Sequence, residues 1–253
     1  MTLLLITLAL LAGTAEDDRD APGSPVLEGG RERSRILVVV LHGGSWKGTP
    51  PLELARRALR ELDDDAERLG LRLLAPVAPP SATDPPAGER SAAFDPALPW
   101  LTPAGEELVL RVVRDALGKR GRTDARRIHL AGHGAGATAA IHLAARYPDL
   151  FAGVAAWSGT PSPVWDAERR VVGLVDDPVP KLKPVGVYLW TATDDPVIDR
   201  GALSRFVDGM VRRRANGDGM PWLWEQGEGG HGYGPGPEAG LRFLKDQRRK
   251  AAK

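Results

Sequence analysis

Residues 130–140 read LAGHGAGATAA: an apolar run enters a glycine-rich turn and leaves it as a run of small helix formers. A strand that turns this tightly into a helix is a unit of an α/β sheet. Gly132 and Gly136 favour such a turn, because residues without a side chain let the helix pack closely against the strand. This segment therefore predicts one strand–turn–helix connection and, with it, an α/β architecture.

The rest of the chain alternates in the same way. Residues 36–41, ILVVVL, form a β-branched apolar run that suits a strand buried on both faces. Strands are predicted at 36–41, 71–76, 127–131, 153–157, 185–190 and 221–225. Helices are predicted at 51–69, 103–117, 136–147, 201–215 and 238–249, with a proline-rich surface loop at 78–99 and an insertion at 160–184. The alternation predicts a doubly wound, mostly parallel sheet of about six strands, with its functional edge at the carboxyl ends of the strands.

The N-terminal segment has the character of an export signal. Residues 3–12, LLLITLALLA, form an apolar run that is shorter than the ~20 residues needed to span a bilayer. Small residues at 13–15 follow, as at a signal-peptidase site. We therefore expect a signal peptide at 1–15, a linker at 16–34, an α/β domain at 35–253, and export to the periplasm or the cell exterior. An uncleaved anchor or a buried N-terminal helix stays open at this point, and the absence of cysteine excludes disulfides.

Composition narrows the classes of partner. The 34 basic and 33 acidic residues nearly cancel, so there is no electrostatic case for a nucleic-acid partner. The sequence contains no H-E-x-x-H motif and no Cys/His cluster, and it therefore predicts neither a metal site nor a cofactor. Once the signal peptide is removed, we expect no integral membrane span.

Four short motifs along the chain, taken in their order, indicate where a functional site would lie. Residues 41–46 read LHGGSW, residues 124–136 end in GHGAG, residues 195–198 read DPVI, and residues 229–234 read GGHGYG. With these motifs in this order, the chain resembles the α/β-hydrolase fold, in its esterase and polyester-depolymerase-like branches, over about residues 35–247. The resemblance implies a site at the carboxyl edge of the sheet, where the four motifs would meet.

The resemblance implies catalytic roles for three positions. Position 134 is that of the nucleophilic serine in active members, Asp195 is that of the acid, and His231 is that of the base. Asp194 adjoins Asp195 and is a rival for the same role. This chain departs from the pattern because Gly134 removes the attacking atom of an acyl-transfer triad. The antiparallel strands that usually precede the first parallel strand are also missing, or reduced to part of residues 24–34.

The implied oxyanion hole consists of the backbone N–H groups of Ala135 and of Gly44 or Ser45. Ser45, Ser158 and Ser162 carry the hydroxyls that could replace the missing nucleophile. Members with a normal elbow often have small hydroxyl residues at the first two of these places. Those two serines therefore need no new role.

Several functions stay open from the sequence. We favour an exported esterase-type protein that binds a small-molecule acyl or ester-like ligand and is impaired in hydrolysis because of Gly134. The alternatives are an active hydrolase that uses water or another nucleophile, and a non-catalytic binding or scaffold protein. A dinucleotide-binding turn at Gly132, Gly134 and Ala137 is a weaker hypothesis. Such a turn is followed after ~20 residues by an acidic residue at a strand end, and the nearest candidate, Asp149, is predicted at a helix end. His129 and His142 are expected to be structural. His133 occupies a position where the resembled family commonly has histidine before the nucleophile, and we expect no chemistry of its own from it.

Overall fold

The structure, a computed structural model, describes residues 24–44, 49–79, 98–119, 122–161, 178–217, 219 and 221–250. The predicted signal peptide, Ser45 and Ser162 lie outside the described residues. The strands are β1 (Val26–Gly30), β2 (Leu37–Leu41), β3 (Arg72–Pro76), β4 (Ile128–His133), β5 (Gly153–Trp157), β6 (Gly186–Ala192) and β7 (Trp222–Gly227). The helices are α1 (Pro51–Leu69), α2 (Leu98–Leu101), α3 (Pro103–Gly118), α4 (Ala135–Arg146), α5 (Pro178–Lys181), α6 (Arg200–Ala215) and α7 (Glu238–Asp246).

The strands form one sheet of 7 strands in the order β1-β3-β2-β4-β5-β6-β7. β1 is antiparallel to β3, and every other neighbouring pair is parallel. The predicted α/β fold with a mostly parallel sheet is therefore confirmed. Because β2 and β4 to β7 run in one direction, their carboxyl ends lie at the same edge of the sheet.

Helices cover both faces of the sheet, so the central strands are buried on both sides. In β2, Leu37 and Val39 face one apolar cluster, whereas Val38 and Val40 face the other, and none is more than 1% exposed. Residues of α3, α4 and α6 complete the first cluster, and residues of α1 and α7 complete the second. This two-sided burial explains why the central strands are unbroken apolar runs in the sequence.

Capping residues set the ends of the long helices. α1 begins with Pro51 and ends at Gly70, which takes a left-handed conformation with φ 74°. α3 begins after Thr102, whose Oγ1 accepts a hydrogen bond from the Gly105 N–H at 3.1 Å. Both helices start where the sequence predicts.

Two features refine the sequence prediction. Val26–Gly30 form the antiparallel edge strand β1 within residues 24–34, where the sequence left a reduced antiparallel strand open. The predicted linker at 16–34 therefore contributes a seventh strand, where about six were expected. β1 is partly exposed along its length and contains two glycines, so it lacks the buried apolar run by which the other strands were found. The short helices α2 and α5 occupy the end of the predicted loop at 78–99 and the end of the predicted insertion at 160–184.

Candidate active site

Five loops meet at the carboxyl edge of the sheet. Gly44 lies after β2, Gly134 after β4, Ser158 after β5, Asp195 after β6 and His231 after β7. These strands are consecutive neighbours in the sheet, so the loops lie side by side. The structure thus gathers at one place the described residues that the four sequence motifs supply.

Asp195 and His231 form a hydrogen-bonded pair. The Nδ1 atom of His231 lies 2.9 Å from Oδ2 and 3.1 Å from Oδ1 of Asp195. A carboxylate only accepts hydrogen bonds, so the proton of the neutral imidazole sits on Nδ1. The Nε2 lone pair of His231 is therefore directed away from Asp195, and Nε2 is the atom that stands nearest to the side-chain position of Gly134.

The Asp195 carboxylate is held as an anion in spite of its burial. Its side chain has no exposed area, and burial by itself raises the pKa of a carboxyl group. The backbone N–H of Val197 at 2.8 Å, the His231 ring and the N–H of Ile198 at 3.3 Å outweigh that effect and lower the pKa of Asp195. These bonds also fix the orientation of the carboxylate against His231.

Gly134 has the backbone of a nucleophile elbow. It joins β4 to α4 with φ 55° and ψ −120°, a conformation that strains any residue with a side chain. Glycine adopts it freely. A Cβ atom built on Gly134 would lie 2.9 Å from Nε2 of His231, which is its nearest neighbour. A side chain at this position would therefore point at the ring nitrogen that carries the lone pair.

The glycines on either side of the elbow are required by packing. A Cβ on Gly136 would stand 2.0 Å from the carbonyl oxygen of Leu41, and a Cβ on Gly132 would stand 2.4 Å from the carbonyl oxygen of Gly136. Both contacts are with backbone, which cannot move aside cheaply. These two glycines thus account for the close approach of α4 to the sheet and carry no information about catalysis.

His42 holds the loop after β2 in place. Its Nε2 accepts a hydrogen bond from the Ala78 N–H at 3.2 Å, so Nδ1 carries the proton and donates it toward the Gly43 carbonyl oxygen at 2.9 Å. Burial lowers the pKa of His42, and the ring stays neutral. The indole N–H of Trp100 donates to the carbonyl oxygen of His42 at 3.0 Å. Trp100 follows the proline-rich loop, and no pattern in the sequence connects it to this site.

Two residues of the predicted oxyanion hole line the cavity above Gly134. Ala135 is the first residue of α4, a position at which the N–H group has no partner within the helix. Gly44 and Ala135 both line the cavity. Ser45 lies outside the described residues, so its part in an oxyanion hole stays a prediction.

Asp194 and Ser158 both contact the histidine loop rather than His231 itself. Asp194 Oδ1 accepts hydrogen bonds from the N–H groups of Gly230 at 2.9 Å and Gly229 at 3.1 Å, and these bonds lower the pKa of Asp194. Ser158 Oγ donates to the carbonyl oxygen of Gly232 at 2.8 Å, so this hydroxyl is not presented as a substitute nucleophile. Neither contact was predicted, because sequence spacing does not say in which direction a side chain at the end of a strand points.

The ring of His133 contacts the rings of both His231 and Tyr233. The His133 ring lies edge-on to the His231 ring, with 4.7 Å between centroids, and stacks on Tyr233 at 4.8 Å. Burial, reinforced by the neighbouring His231, lowers the pKa of His133 to about 4. His133 is therefore neutral near pH 7 and serves as a packing surface. Tyr233, which was not singled out from the sequence, lies two residues beyond His231 in the same loop.

A cavity of about 690 Å³ opens at Gly134. This volume is within the range of small-molecule sites in proteins. The apolar side chains on its wall include Leu54, Val197 and Ile198, and the carboxylate and guanidinium side chains there are Arg57, Glu61 and Asp199. The cavity therefore offers both an apolar surface and polar groups beside the Asp195–His231 pair.

Other candidate chemistry is absent from the described part of the chain. Among the residues that the structure describes, no group of three or more His, Cys, Asp and Glu side chains could hold a metal ion. Within the same residues, no helix is both long enough and apolar enough to cross a membrane. His129 and His142 are fully buried, on β4 and α4, away from the cavity. Asp149 follows the C-terminal end of α4, whereas Gly134 precedes its N-terminal end. Asp149 is therefore not placed to bind the ribose of a dinucleotide at Gly134.

The fold and the arrangement at its carboxyl edge define an esterase-type α/β-hydrolase. The chain belongs to the esterase family whose description is "Putative esterase", which matches residues 93–228. It is 34% identical over 168 residues to "Putative esterase NocK" of Nocardia uniformis subsp. tsuyamanensis, a match that covers 66% of this chain and 42% of that protein. The chain thus spans less than half the length of this relative.

Solved structures share the fold, and an esterase is among them. TT1662 from Thermus thermophilus has a TM-score of 0.63 and 22% identity, over 87% of this chain and 92% of that chain. Esterase PE8 has a TM-score of 0.57 and 20% identity, over 88% of this chain and 98% of that chain. The family match includes Gly134 and Asp195 but ends before His231, so the position of His231 in the site rests on the geometry described above.

Proposed function

We propose that this protein is an exported esterase-type α/β-hydrolase that binds a small-molecule acyl or ester-like ligand and is impaired in ester hydrolysis. In this proposal His231 is the base, Asp195 orients it, and the N–H groups of Ala135 and of Gly44 or Ser45 bind the carbonyl oxygen of the ligand. The observation that carries the proposal is the 2.9 Å between the Cβ position of Gly134 and His231 Nε2. The base faces the position of a nucleophile that the chain does not supply.

Hydrolysis is impaired because the covalent step has no attacking atom. An acyl-enzyme forms only when a side-chain oxygen or sulfur attacks the carbonyl carbon, and glycine has neither. The hydroxyl of Ser158 is engaged with the Gly232 carbonyl oxygen, which argues against its use as a replacement. An oxyanion hole and a binding site without a complete triad still give ~10³–10⁴-fold acceleration over water in serine proteases. We expect residual turnover of that order.

Ligand binding is favoured over a purely structural role because the cavity is open. The cavity is about 690 Å³ in volume and reaches Gly134, His231 and Ala135. Burying the Asp195 carboxylate is unfavourable unless hydrogen bonds compensate for its desolvation. A purely structural role requires neither this buried carboxylate nor an open cavity beside it.

Binding can be tested with 4-nitrobutyranilide, the amide analogue of a short-chain aryl ester, by NMR titration of the ¹⁵N-labelled protein. The expected result is a saturable shift of the Ala135 and Gly232 amide signals, with no shift at the remote Gly118. A titration that moves no amide signal, or moves only signals outside the cavity, would favour the scaffold alternative.

A second candidate, direct attack by water, is supported by the intact Asp195–His231 pair. Because the Nε2 lone pair faces open space beside Gly134, it could take a proton from water placed against a bound ester. Steady-state hydrolysis of 4-nitrophenyl butyrate tests this candidate. Turnover well above the residual level, without a burst and abolished by His231→Ala, would replace impairment by water-based catalysis.

Export is a separate part of the proposal. It is supported by the apolar run at 3–12 and the small residues at 13–15. Expression of the full chain followed by fractionation and N-terminal sequencing is expected to give a protein outside the cytoplasm that begins near Glu16. A cytoplasmic protein that retains residues 1–15 would remove the export claim and leave the ligand-binding claim unchanged.

A further inference from the structure

The loop that carries His231 is built largely of glycine. Gly229 and Gly230 precede the histidine with φ values of 143° and 61°, and Gly232 follows it. Glycine loses more conformational freedom on folding than any other residue, so a glycine-rich loop does not hold a side chain steady by itself. A ring that must stand over Gly134 therefore needs contacts from outside the loop.

Two side chains from neighbouring loops supply such contacts on either side of His231. Before the histidine, Asp194 Oδ1 accepts hydrogen bonds from the N–H groups of Gly229 and Gly230, at 3.1 and 2.9 Å. After it, Ser158 Oγ donates to the carbonyl oxygen of Gly232 at 2.8 Å. The backbone is thus bound on both sides of the residue whose ring faces the elbow.

Ser158 bears strain at this position. Among the described residues other than glycine, it alone has a positive φ, 50°. It is also 1% exposed, and its N–H donates to the carbonyl oxygen of Trp190 at 3.0 Å. A side chain held in left-handed conformation persists when its surroundings determine it strongly, and such residues concentrate at functional sites. Here the strained backbone directs the hydroxyl at Gly232.

We propose that Asp194 and Ser158 are positioning residues that clamp the histidine loop and hold His231 Nε2 over position 134. The proposal rests on the proposed function, because a fixed His231 matters only if the ring acts on a ligand. It assigns to Asp194 a role different from that of Asp195: the first binds the backbone of the loop, and the second binds the ring.

The kinetic test uses the Gly134→Ser protein, in which ester turnover reports on His231. Asp194→Ala and Ser158→Ala are expected to lower kcat by about 10- to 100-fold with KM nearly unchanged, because a small misplacement of a catalytic group costs up to ~10²-fold. Asp194→Asn keeps an Oδ1 acceptor for the two N–H groups and is expected to retain kcat within about threefold. A rise in KM with kcat unchanged would overturn the positioning role.

Matched controls come from similar contacts far from the site. Asp63 Oδ1 accepts the N–H of Gly30 at 2.6 Å, and Ser34 Oγ donates to the carbonyl oxygen of Gly70 at 2.5 Å. Asp63→Ala and Ser34→Ala thus remove the same kinds of bond without touching the histidine loop. We expect both controls to leave kcat unchanged at comparable Tm, and an equal loss of kcat in the controls would overturn the proposal.

A second readout does not depend on activity. In the unsubstituted chain, the Nδ1 proton of His231 that faces Asp195 is expected to give a low-field ¹H NMR signal. The clamp predicts that Asp194→Ala and Ser158→Ala broaden or abolish this signal, whereas Asp63→Ala and Ser34→Ala retain it. A sharp signal in all four variants would overturn the clamp. If Gly134→Ser proves inactive, the claim that only the nucleophile is missing fails, and this signal alone decides the clamp.

Discussion

The ring of His231 lies so close to Gly134 that a side chain at position 134 would overlap it. A Cβ atom on Gly134 would lie 2.9 Å from Nε2, below the ~3.5 Å at which heavy atoms pack without repulsion. The ring must therefore withdraw by several tenths of an ångström when position 134 gains a side chain. It belongs to a loop and is 28% exposed, so it has room to do so.

The first prediction concerns the stability of the elbow. Gly134→Ala is expected to lower the free energy of unfolding by about 1–3 kcal/mol, because alanine must take up the strained conformation at φ 55°. Urea unfolding measures the difference, and Gly118→Ala, where an added Cβ meets nothing within 4 Å, is the control. An unchanged unfolding midpoint in Gly134→Ala would mean that the elbow is not strained.

The second prediction concerns the packing of α4 on the sheet. Gly136→Ala would place a methyl group 2.0 Å from the Leu41 carbonyl oxygen, so we expect a loss of more than about 3 kcal/mol or failure to fold. Gly118→Ala, at the end of α3, is expected to be neutral or to stabilise by up to about 1 kcal/mol, because alanine is the better helix former. Thermal unfolding of the two variants gives the comparison. Similar Tm values for both would contradict the close approach of α4.

The sequence predicted the central strands and the motif loops because buried apolar runs and glycine-rich turns are local signals. It placed β1 no more closely than as a possible antiparallel strand within residues 24–34, because the pairing of β1 with β3 depends on an edge that no local pattern marks. It named Asp195 and His231 by resemblance but could not see that Asp194 binds the histidine loop. The reason is physical: side-chain direction at the end of a strand depends on turns and partners far away in the chain, here 35 and 36 residues away.

The third prediction concerns acid stability. Burial lowers the pKa of His129 to about 3 and that of His133 to about 4, whereas an unfolded histidine titrates near ~6.5. Between those values the unfolded chain binds more protons, so stability falls as the pH is lowered from about 6.5 toward 4, by about 1.4 kcal/mol per pH unit for each histidine.

His129 gives the cleaner test, since neither of its ring nitrogens has a hydrogen-bond partner among the described residues. We expect the free energy of unfolding, measured from pH 7 to pH 4, to fall less steeply with decreasing pH in His129→Leu than in the unsubstituted protein, by the contribution of one histidine. An unchanged slope in this variant would show that His129 does not account for acid sensitivity.

The fourth prediction separates the two adjacent carboxylates. In the Gly134→Ser protein, Asp195→Asn is expected to lower kcat by on the order of 10³–10⁴, because an amide can donate to Nδ1 and favours the wrong imidazole tautomer. Asp194→Asn is expected to have little effect on kcat, since the amide oxygen still accepts hydrogen bonds from the N–H groups of Gly229 and Gly230. Equal losses from the two substitutions would contradict the assignment of Asp195 as the acid.

The most direct test of the account is the gain of ester hydrolysis in Gly134→Ser, compared with Gly134→Ala. Both substitutions introduce the same backbone strain, and only serine adds an oxygen beside His231 Nε2. We expect turnover of 4-nitrophenyl butyrate to rise by at least ~10²-fold in the serine variant and not in the alanine variant, since loss of the triad serine costs on the order of 10⁶ in a serine protease. Covalent labelling by a fluorophosphonate is expected in the serine variant alone. A folded Gly134→Ser protein with neither turnover nor labelling would contradict the claim that only the nucleophile is missing.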